Sequence, residues 1–283
     1  MCVRGGKKVK NIKNKKNGTE IALDYPNDLS RSLGENIMDN TKYIALSRQM
    51  ALWKQMNVVS NNVANMNTTG YKQEDTMFST YVAQTLNAKG MGKEPVYFTQ
   101  DFATYNNFME GALVSTGNTL DVALQGDGFF AIETDDGVSY TRKGNFTLDS
   151  NGMIVTTDGY PVLSSNNEPL FIAPTEKEIM ITEDGSVATE NGVIGRLQVV
   201  KFADNQKLLK KANTMFDNVA GNASSEADNV RVLQRSLEKS NVNSVEEMTK
   251  LIHLQRSYEF VQQMIDEEHD RISNTIKTYG QLA

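Results

Sequence analysis

The sequence LIHLQRSYEFVQQMIDEEHDRI, residues 251–272, decides how the rest of the chain is interpreted. Apolar residues recur along it at steps of three, four and seven, and these residues are Leu251, Leu254, Tyr258, Val261, Ile265 and Ile272. This spacing places them on one side of an α-helix, and a 3.5-residue repeat keeps that side aligned only when the helix winds around another helix. The stretch therefore predicts a long helix that needs a helical partner.

A second stripe of this kind lies near the other end of the chain. Steps of four and three separate Ala45, Gln49, Leu52, Met56, Val59, Val63 and Met66. The two helices either pair within one molecule as a hairpin stalk or pair with neighbouring copies in a polymer. The predicted assembly interface consists of Ala45, Leu52, Met56, Val59 and Val63 on the first helix and Leu251, Leu254, Tyr258, Val261, Ile265 and Ile272 on the second.

Short strands are predicted between the two helices. Five pairs of the Asp-Gly or Asn-Gly type recur there, at residues 136–137, 151–152, 158–159, 184–185 and 191–192. Such pairs supply the positive φ angles of tight hairpin turns, and short apolar or alternating runs separate them. The predicted fold class is α+β, with terminal α-helices forming a coiled-coil stalk and a central antiparallel all-β domain.

The chain divides into five segments on this interpretation. They are a basic leader (1–37), an N-terminal helical assembly segment (38–85), a central β domain with connecting loops (86–205), a linker that returns to the stalk (206–236) and a C-terminal coiled-coil helix (237–283). The leader has no amphipathic period and no apolar core of a secretory signal. We expect it to be disordered, or to be a start-site error with translation beginning at Met38.

Composition excludes several classes of function. The 283 residues include no run of eighteen apolar residues, so no membrane-spanning helix is expected. From Met38 onward, 31 acidic residues outnumber 21 basic ones, which disfavours nucleic acid as a partner. The single cysteine, Cys2, excludes an intramolecular disulfide framework.

Catalytic and metal-binding constellations are not evident in the sequence. The two histidines, His253 and His269, are sixteen residues apart on one predicted helix, which is about 24 Å of axial rise. That separation is too large for them to share a metal ion. Of the five aspartates Asp127, Asp136, Asp149, Asp158 and Asp184, all but Asp149 precede glycine and are explained as turn formers. We therefore expect a protein that is not an enzyme and uses no cofactor.

Three ordered blocks resemble the bacterial flagellar axial proteins, which are the rod and hook proteins of the basal body. The first block is VVSNNVANMNTTGYK (58–72), the second extends from GDGFF (126–130) through YTRKGNF (140–146) to GYPVL (159–163), and the third extends from LEKSNV (237–242) to QRSYE (255–259). The signature residues in these blocks are Asn61, Asn62, Ala64, Asn65, Thr69, Gly70, Gly126, Gly128, Phe129, Phe130, Ser240, Asn241, Val242, Gln255 and Arg256. Gly126 and Gly128 are interpreted as the entrance to a strand beside buried phenylalanines, not as a phosphate-binding loop.

The resemblance implies a structural subunit of the flagellar rod that self-assembles through its terminal helices into the shaft transmitting torque from motor to hook. The opening at Met38 most resembles the proximal-rod type, known as rod protein F, and the distal-rod type is the close alternative. The implied partners are other rod and hook proteins and the flagellar type III export apparatus, which would deliver the chain without cleavage to a rod that crosses the periplasm. A secreted coiled-coil adhesin and a carbohydrate-binding module are the competing classes.

Overall fold

Two long helices flank a set of short strands in the computed structural model. The structure describes residues 28–84, 95–173, 176, 178–211, 214–219, 221–222, 224–227 and 230–280, with side chains from Lys42 to Ser79 and from Ala103 onward within those ranges. The helices are α1, Asp28–Ala64, and α2, Ser244–Gly280. Most of the predicted basic leader lies outside the described residues, but α1 begins at Asp28, within the segment predicted as the leader.

Seventeen strands are described between the helices. In chain order they are β1 Glu74–Gln84, β2 Pro95–Asn106, β3 Leu113–Ser115, β4 Val122–Gln125, β5 Phe129–Thr134, β6 Gly137–Thr141, β7 Phe146–Leu148, β8 Ile154–Thr156, β9 Ile179–Ile181, β10 Ser186–Thr189, β11 Gly192–Arg196, β12 Val199–Phe202, β13 Leu209–Lys210, β14 Met215–Asp217, β15 Ser224–Glu226, β16 Arg231–Gln234 and β17 Ser236–Glu238.

All strand pairs among the described residues are antiparallel, as predicted. Strands β1 and β2 form a long hairpin of their own, with a register shift between Met77 and Phe78. The remaining strands, β3–β17, form what we call the β body. It contains a six-stranded sheet in the order β13-β14-β6-β5-β12-β15, a three-stranded sheet β11-β10-β9, and the pairs β16-β4, β17-β3 and β7-β8.

Turns that contain glycine separate strands of the β body at the five positions predicted from the sequence. The glycine of each of the five predicted pairs has a positive φ, at Gly137, Gly152, Gly159, Gly185 and Gly192. An L side chain rarely adopts this conformation, so these positions favour reversal of the chain over continuation of a strand. The fold is therefore α+β with a central antiparallel region.

The core of the β body lies on both sides of β5. Phe130 and Ile132 belong to the larger apolar cluster, which includes Val122, Leu124, Phe146, Ile154 and Val187, whereas Phe129 belongs to a second cluster with Phe202 and Phe216. Alternate residues of a strand point to opposite faces. Because both faces are covered, residues 129–132 form a continuous apolar run and not an alternating one.

Two predicted boundaries were wrong. The segment 206–236, predicted as a linker, holds β13–β16 and the start of β17, because Phe216 and Val232 fill the core of the β body. The C-terminal helix was predicted from Leu237, but that residue lies in β17, and α2 begins at Ser244. Asn243 caps this helix, since its side-chain oxygen accepts from the Val245 amide at 3.2 Å.

The N-terminal boundary also differs from the prediction. The segment 38–85 was assigned to a helical assembly unit, but its last part is strand β1, which begins at Glu74. Val63 and Ala64 end the helix, and Gly70 adopts φ 68° in the turn that follows. The turn reverses the chain because glycine accepts this left-handed conformation.

Candidate functional site

The two helices pack against each other within one molecule. Ala45 and Leu52 of α1 form a buried cluster with Val261 of α2, and partly buried Leu254, Tyr258 and Ile265 pack against it. A hydrogen bond between the side chains of Gln49 and Gln262 spans the same contact. We call this contact the helix seam. It brings together residues from both predicted stripes.

The other residues of the predicted interface are less uniform in their burial. Val59 is buried, while Met56 and Val63 on α1 are half-buried. On α2, Leu251 and Ile272 are half-buried too. The predicted residues therefore lie on sides of the helices that are at least partly covered, but only six of them belong to the apolar cluster of the seam.

A second apolar stripe on α1 remains exposed. It consists of Tyr43, Leu46, Met50 and Trp53, whose exposed fractions are 61%, 48%, 64% and 56%. Steps of three, four and three separate these residues, so they lie along one face of the helix. We call this face the outer stripe. The outer stripe was not predicted from the sequence, because the assembly interface was assigned only to the stripe that begins at Ala45.

A buried polar cluster, which we call the polar junction, lies where the helices meet the β body. Its members are Asn62, Tyr71, Lys72, Gln73, Glu74, Arg142, Glu238, Asn241 and Glu247. They come from the end of α1, the following turn, β1, the loop after β6, the end of β17 and the segment entering α2. The junction thus collects polar groups from segments that are far apart in sequence.

Asn62 organises the half of the junction next to the helices. Its side-chain oxygen accepts from the Tyr71 hydroxyl and the Glu74 amide, both at 3.0 Å. Its side-chain nitrogen donates to the Glu74 carbonyl at 2.8 Å and to the Glu247 carboxylate at 3.0 Å. All its donors and acceptors are used while the side chain is fully buried, so the end of α1 is held to β1 and α2.

Glu247 closes this half from the side of α2. Its carboxylate is buried and accepts from the Gln73 side chain at 3.0 Å and from the Lys250 ammonium at 2.7 Å. Lys250 is only partly exposed and neutralises the charge of the buried carboxylate. Because Glu247 lies four residues before Leu251, it continues the apolar stripe of α2 with a charged residue.

Glu238 organises the half of the junction next to the β body. One carboxylate oxygen accepts from the Lys72 ammonium at 2.7 Å and from the Gly111 amide at 2.9 Å, and the other lies 3.3 Å from the Arg142 guanidinium. The Glu238, Lys72 and Arg142 side chains are at most 2% exposed. Arg142 also stacks over the ring of Phe129, 5.3 Å from its centroid.

Backbone contacts tighten this half of the junction. The Gly70 amide donates to the Glu238 carbonyl at 2.8 Å, and a Cβ on Gly70 would lie 2.5 Å from the backbone of Arg142. Asn241 accepts from the Gln73 amide at 2.8 Å. These approaches explain why glycine and asparagine occupy those positions.

Burial changes the acid-base properties of the junction. Burial, together with the nearby Glu74 and Glu247 carboxylates, raises the pKa of Tyr71 above its ordinary value. Burial lowers the pKa of Lys72, and the Glu238 carboxylate opposes that shift. The junction therefore favours a protonated phenol, which it uses as a hydrogen-bond donor.

A lysine-lined cleft of about 370 Å³ lies beside the junction. Its lining includes Lys143, Lys210 and Lys211, but each already has a carboxylate partner, at 3.1 Å, 3.0 Å and 2.5 Å for the shortest contacts with Asp158, Glu74 and Asp217. With their charges compensated, these lysines do not make an anion site. Among the described residues, no group of three or more His, Cys, Asp or Glu side chains is placed to hold a metal ion.

The signature residues fall into three groups in the structure. Those that lie buried at the junction or the core are Asn62, Gly70, Gly128, Phe129 and Phe130. Gly128 precedes β5, as predicted, and a Cβ there would lie 2.8 Å from Val199. A further set is exposed, namely Asn61, Ala64, Gln255 and Arg256. Asn65, Thr69, Gly126, Ser240, Asn241 and Val242 are half-buried.

Sequence reasoning missed the charged members of the junction. Lys72, Arg142 and Glu238 were within the quoted blocks but were not singled out. A charged residue on an otherwise apolar stripe, as Glu247 is, was the signal that a buried polar partner exists. The partners themselves are distant in sequence, so periodicity could not identify them.

No helix in the described part of the chain carries an apolar stretch sufficient to cross a bilayer. Comparison with known proteins then places the chain. The model for the flagella basal body rod protein matches residues 43–72, the model for the flagellar hook protein FlgE/F/G D1 domain matches residues 123–189, and the model for the flagellar basal body rod FlgEFG protein C-terminal region matches residues 233–278.

Curated relatives agree with these matches. The flagellar basal-body rod protein FlgF of Caulobacter vibrioides is 36% identical over 245 residues, covering 87% of this chain and 100% of that protein. FlgF of Mesorhizobium japonicum is 32% identical, covering 86% and 99%. The rod protein FlgG of Bacillus subtilis is 31% identical, covering 77% and 90%. The chain belongs to the flagellar basal-body rod protein family, in which it is of the FlgF type, and it is a structural subunit of the proximal rod, not an enzyme.

Proposed function

We propose that the chain builds the rod by docking its terminal helices against the helices of neighbouring rod and hook proteins. The observation that carries this proposal is the outer stripe on α1, a row of four large exposed side chains from Tyr43 to Trp53. Contiguous exposed apolar surface of this kind is typical of protein interfaces, and aromatic residues and methionine are enriched there. The helix seam covers one side of α1, and the outer stripe leaves another side for a neighbour.

The helix pair is proposed to be a coiled-coil stalk. Ala45, Leu52 and Val59, which are buried at steps of seven residues, support a heptad seam on α1. The helical segments at the two ends of the chain are then the assembly units. The β body and the β1-β2 hairpin form the part of the subunit outside the helices.

Assembly follows from repetition of one asymmetric contact. A head-to-tail contact whose rotation does not close on itself generates a helical tube. In this tube the terminal helices line the inside and the β body lies outside, and torque from the motor passes along the tube to the hook. Within each subunit, force between the helices and the β body passes through the polar junction.

Delivery is proposed to use the flagellar type III export apparatus, without cleavage of the chain. Membership in the rod family supports this route. Subunits recovered from purified basal bodies are expected to keep the part of α1 that follows Met38. A mature N-terminus after Asp39 and within α1, determined by mass spectrometry, would contradict the proposal.

The test of the docking proposal removes the apolar character of the outer stripe. The double variant Met50→Gln and Trp53→Gln is introduced into a bacterium that uses this chain in its rod. Both side chains are exposed, so the free energy of unfolding of the purified subunit is expected to change by about 0.5 kcal/mol or less. Motility in soft agar and the number of complete rods in electron micrographs are expected to fall sharply.

Arg48→Gln is the matched control, since Arg48 is an exposed polar residue of the same helix. It is expected to keep both motility and rod number. Immunoblots of export fractions separate a defect in delivery from a defect in assembly. Parental motility in the exported double variant would refute docking through the outer stripe.

A further inference from the structure

Glu238 is a single buried carboxylate that holds three separate passages of the chain. It contacts Lys72 in the turn after α1, Gly111 between β2 and β3, and Arg142 after β6. Glu238 itself ends β17, a few residues before α2 begins at Ser244. The carboxylate therefore lies where the chain leaves one helix and where it enters the other.

The two cations around Glu238 are anchored independently of it. The Lys72 ammonium also donates to the Met109 carbonyl at 2.7 Å, and the Arg142 guanidinium donates to the Gly126 carbonyl at 2.7 Å. Lys72 lies in the turn that leaves α1, so it represents the helix side of the junction. Arg142 directly follows β6, so it represents the side of the β body. Glu238 is the anion that joins them.

The backbone around Glu238 leaves little room for alternative arrangements. A Cβ on Gly111 would lie 1.9 Å from the Lys239 carbonyl oxygen, and the Lys239 amide donates to the Ala112 carbonyl at 2.9 Å. The Gly70 amide meets the Glu238 carbonyl. The turn after α1 is therefore seated directly on the strand that leads to α2.

We propose that Glu238 is a positioning residue which, acting through Lys72 and Arg142, fixes the direction in which the helix pair leaves the β body. Apolar packing is not directional, whereas a carboxylate bonded to three donors accepts only a narrow range of geometries. A buried ion pair gives little net stability relative to apolar residues, and its best-attested use is to specify one arrangement. In the rod, a fixed direction would let torque pass between the helices and the β body without loss of alignment.

The direction in which the helix pair leaves the β body is a property of one subunit. This inference therefore rests on the proposed function only where it concerns torque in the rod. It is therefore tested on the purified full-length monomer. Cys2→Ser removes the native thiol, and Thr147→Cys on the β body and Gln263→Cys on α2 provide two exposed sites for spin labels. Double electron-electron resonance then measures the distribution of distances between the β body and the helix pair.

The decisive variant is Glu238→Gln. The amide keeps the shape of the side chain but replaces one acceptor oxygen by a donor, which faces either the Lys72 ammonium or the Arg142 guanidinium, and both of these only donate. We expect the distance distribution to become at least about twofold broader, and amide exchange at Gly111 to accelerate by about tenfold or more, since a buried charge has lost its partner. Amide exchange in β5 and β6 is expected to stay unchanged.

Glu226→Gln is the matched control, because Glu226 is an acid of the β body whose pair with Arg196 is exposed. It should leave the distribution as narrow as in the parent. Adding Lys72→Met to Glu238→Gln restores the parent's net charge in the junction but not the link, so the distribution should stay broad. A distribution as narrow as the parent's in this double variant would show that charge balance, and not the link through Glu238, fixes the direction.

A parental distance distribution in Glu238→Gln would overturn the inference. So would exchange in β5 and β6 that accelerates in step with Gly111, because Glu238 would then be a general stabiliser. If Glu238→Gln fails to fold, Lys72→Met in the same labelled protein decides by the same criteria, since it removes the link to the helix side alone. None of these measurements depends on rod assembly, so a failure here leaves the docking proposal to its own test.

Discussion

The β body and the helix pair are stabilised on very different scales. Among the residues that the structure describes, the larger cluster of the β body contains seventeen buried apolar residues, whereas the cluster at the helix seam contains three, Ala45, Leu52 and Val261. The stabilising free energy increases with the apolar surface area that is buried, and helices in proteins gain most of their stability from tertiary packing. The β body is therefore expected to hold its own fold, while the helix pair depends on whatever covers its exposed face.

The polar junction connects these two regions, and it is built from charges and hydrogen bonds where the others use apolar contact. Asn62 joins α1 to β1 and α2, and Glu238 joins the turn after α1 to the β body. Such bonds fix geometry more strongly than they add stability. The molecule thus combines a β body with a large apolar core, a helix pair with an exposed apolar face, and a polar junction that fixes the geometry between them.

The largest expected effect is in the core of the β body. Phe130 is fully buried and meets Phe146 edge to face, with ring centroids 5.2 Å apart. Phe130→Ala should lower the free energy of unfolding by about 3–5 kcal/mol, because it leaves a cavity in a well-packed cluster. Urea denaturation followed by near-UV circular dichroism measures this, and Leu148→Ala, at an exposed position of β7, should cost about 0.5 kcal/mol or less. Equal losses in the two variants would remove the contrast between the regions.

A smaller loss is expected at the junction. Asn62→Ala removes the bonds that the Tyr71 hydroxyl and the Glu74 backbone make to Asn62 in a buried site, and one of the bonds of the Glu247 carboxylate, at a cost of about 2–3 kcal/mol. The adjacent Asn61 is exposed, so Asn61→Ala is the matched control. Hydrogen exchange should accelerate around Glu74 and Glu247 in the first variant alone. The same acceleration in Asn61→Ala would show that these bonds do not hold α1 to β1 and α2.

The helix seam offers the sharpest test of whether the two regions are separate. Leu52→Ala should cost the helix pair about 2 kcal/mol, since Leu52 is buried against α2. The free energy of unfolding of the β body should change by about 0.5 kcal/mol or less. Thermal unfolding followed at 222 nm reports the helices, and the phenylalanine bands of the near-UV dichroism report the body, with Met50→Ala on the exposed side as control. A single transition that shifts as a whole in both signals would mean that helices and body unfold together.

Local sequence patterns predicted the elements whose signals are local. The heptad steps assigned Leu52 and Val261 to apolar stripes on two helices but left open whether those helices pair with each other, as they do in the structure. The glycines of the turns, such as Gly185, marked antiparallel hairpins. The pattern failed at 206–236, because a two-residue strand such as β13 has no period to detect and is fixed by its pairing with β14. Element boundaries at Ser244 and Glu74 were likewise set by tertiary partners.

The candidate site was predictable only in part, for the same reason. Asn62 and Gly70 were identified through their resemblance to a signature, but neither their bonds nor their burial follow from it. Glu238 pairs with Lys72 across 166 positions of sequence and with Arg142 across 96. A charge that is buried looks in sequence like one that is solvated, and only the fold reveals which charges share a site.

The smallest expected effect depends on pH and concerns the Tyr71 hydroxyl. Burial and the neighbouring Glu74 and Glu247 carboxylates raise the pKa of Tyr71 in the folded protein, whereas in the unfolded chain the phenol ionises near its ordinary value of about 10. The folded state thus binds more protons above that pH, so this contribution to stability is complete below about pH 10 and is lost as pH rises further.

Tyr71→Phe should make the fall in unfolding free energy between pH 9.5 and 11 shallower and should cost about 1 kcal/mol at pH 7, for the lost bond to Asn62. The lowered pKa of Lys72 acts in the opposite direction, and the difference between parent and variant isolates the tyrosine. Urea titrations across this range, with Tyr43→Phe as the exposed control, measure the slope. An identical slope in parent and Tyr71→Phe would show that the phenol ionises equally in both states, and the junction would then not hold Tyr71 as a buried donor.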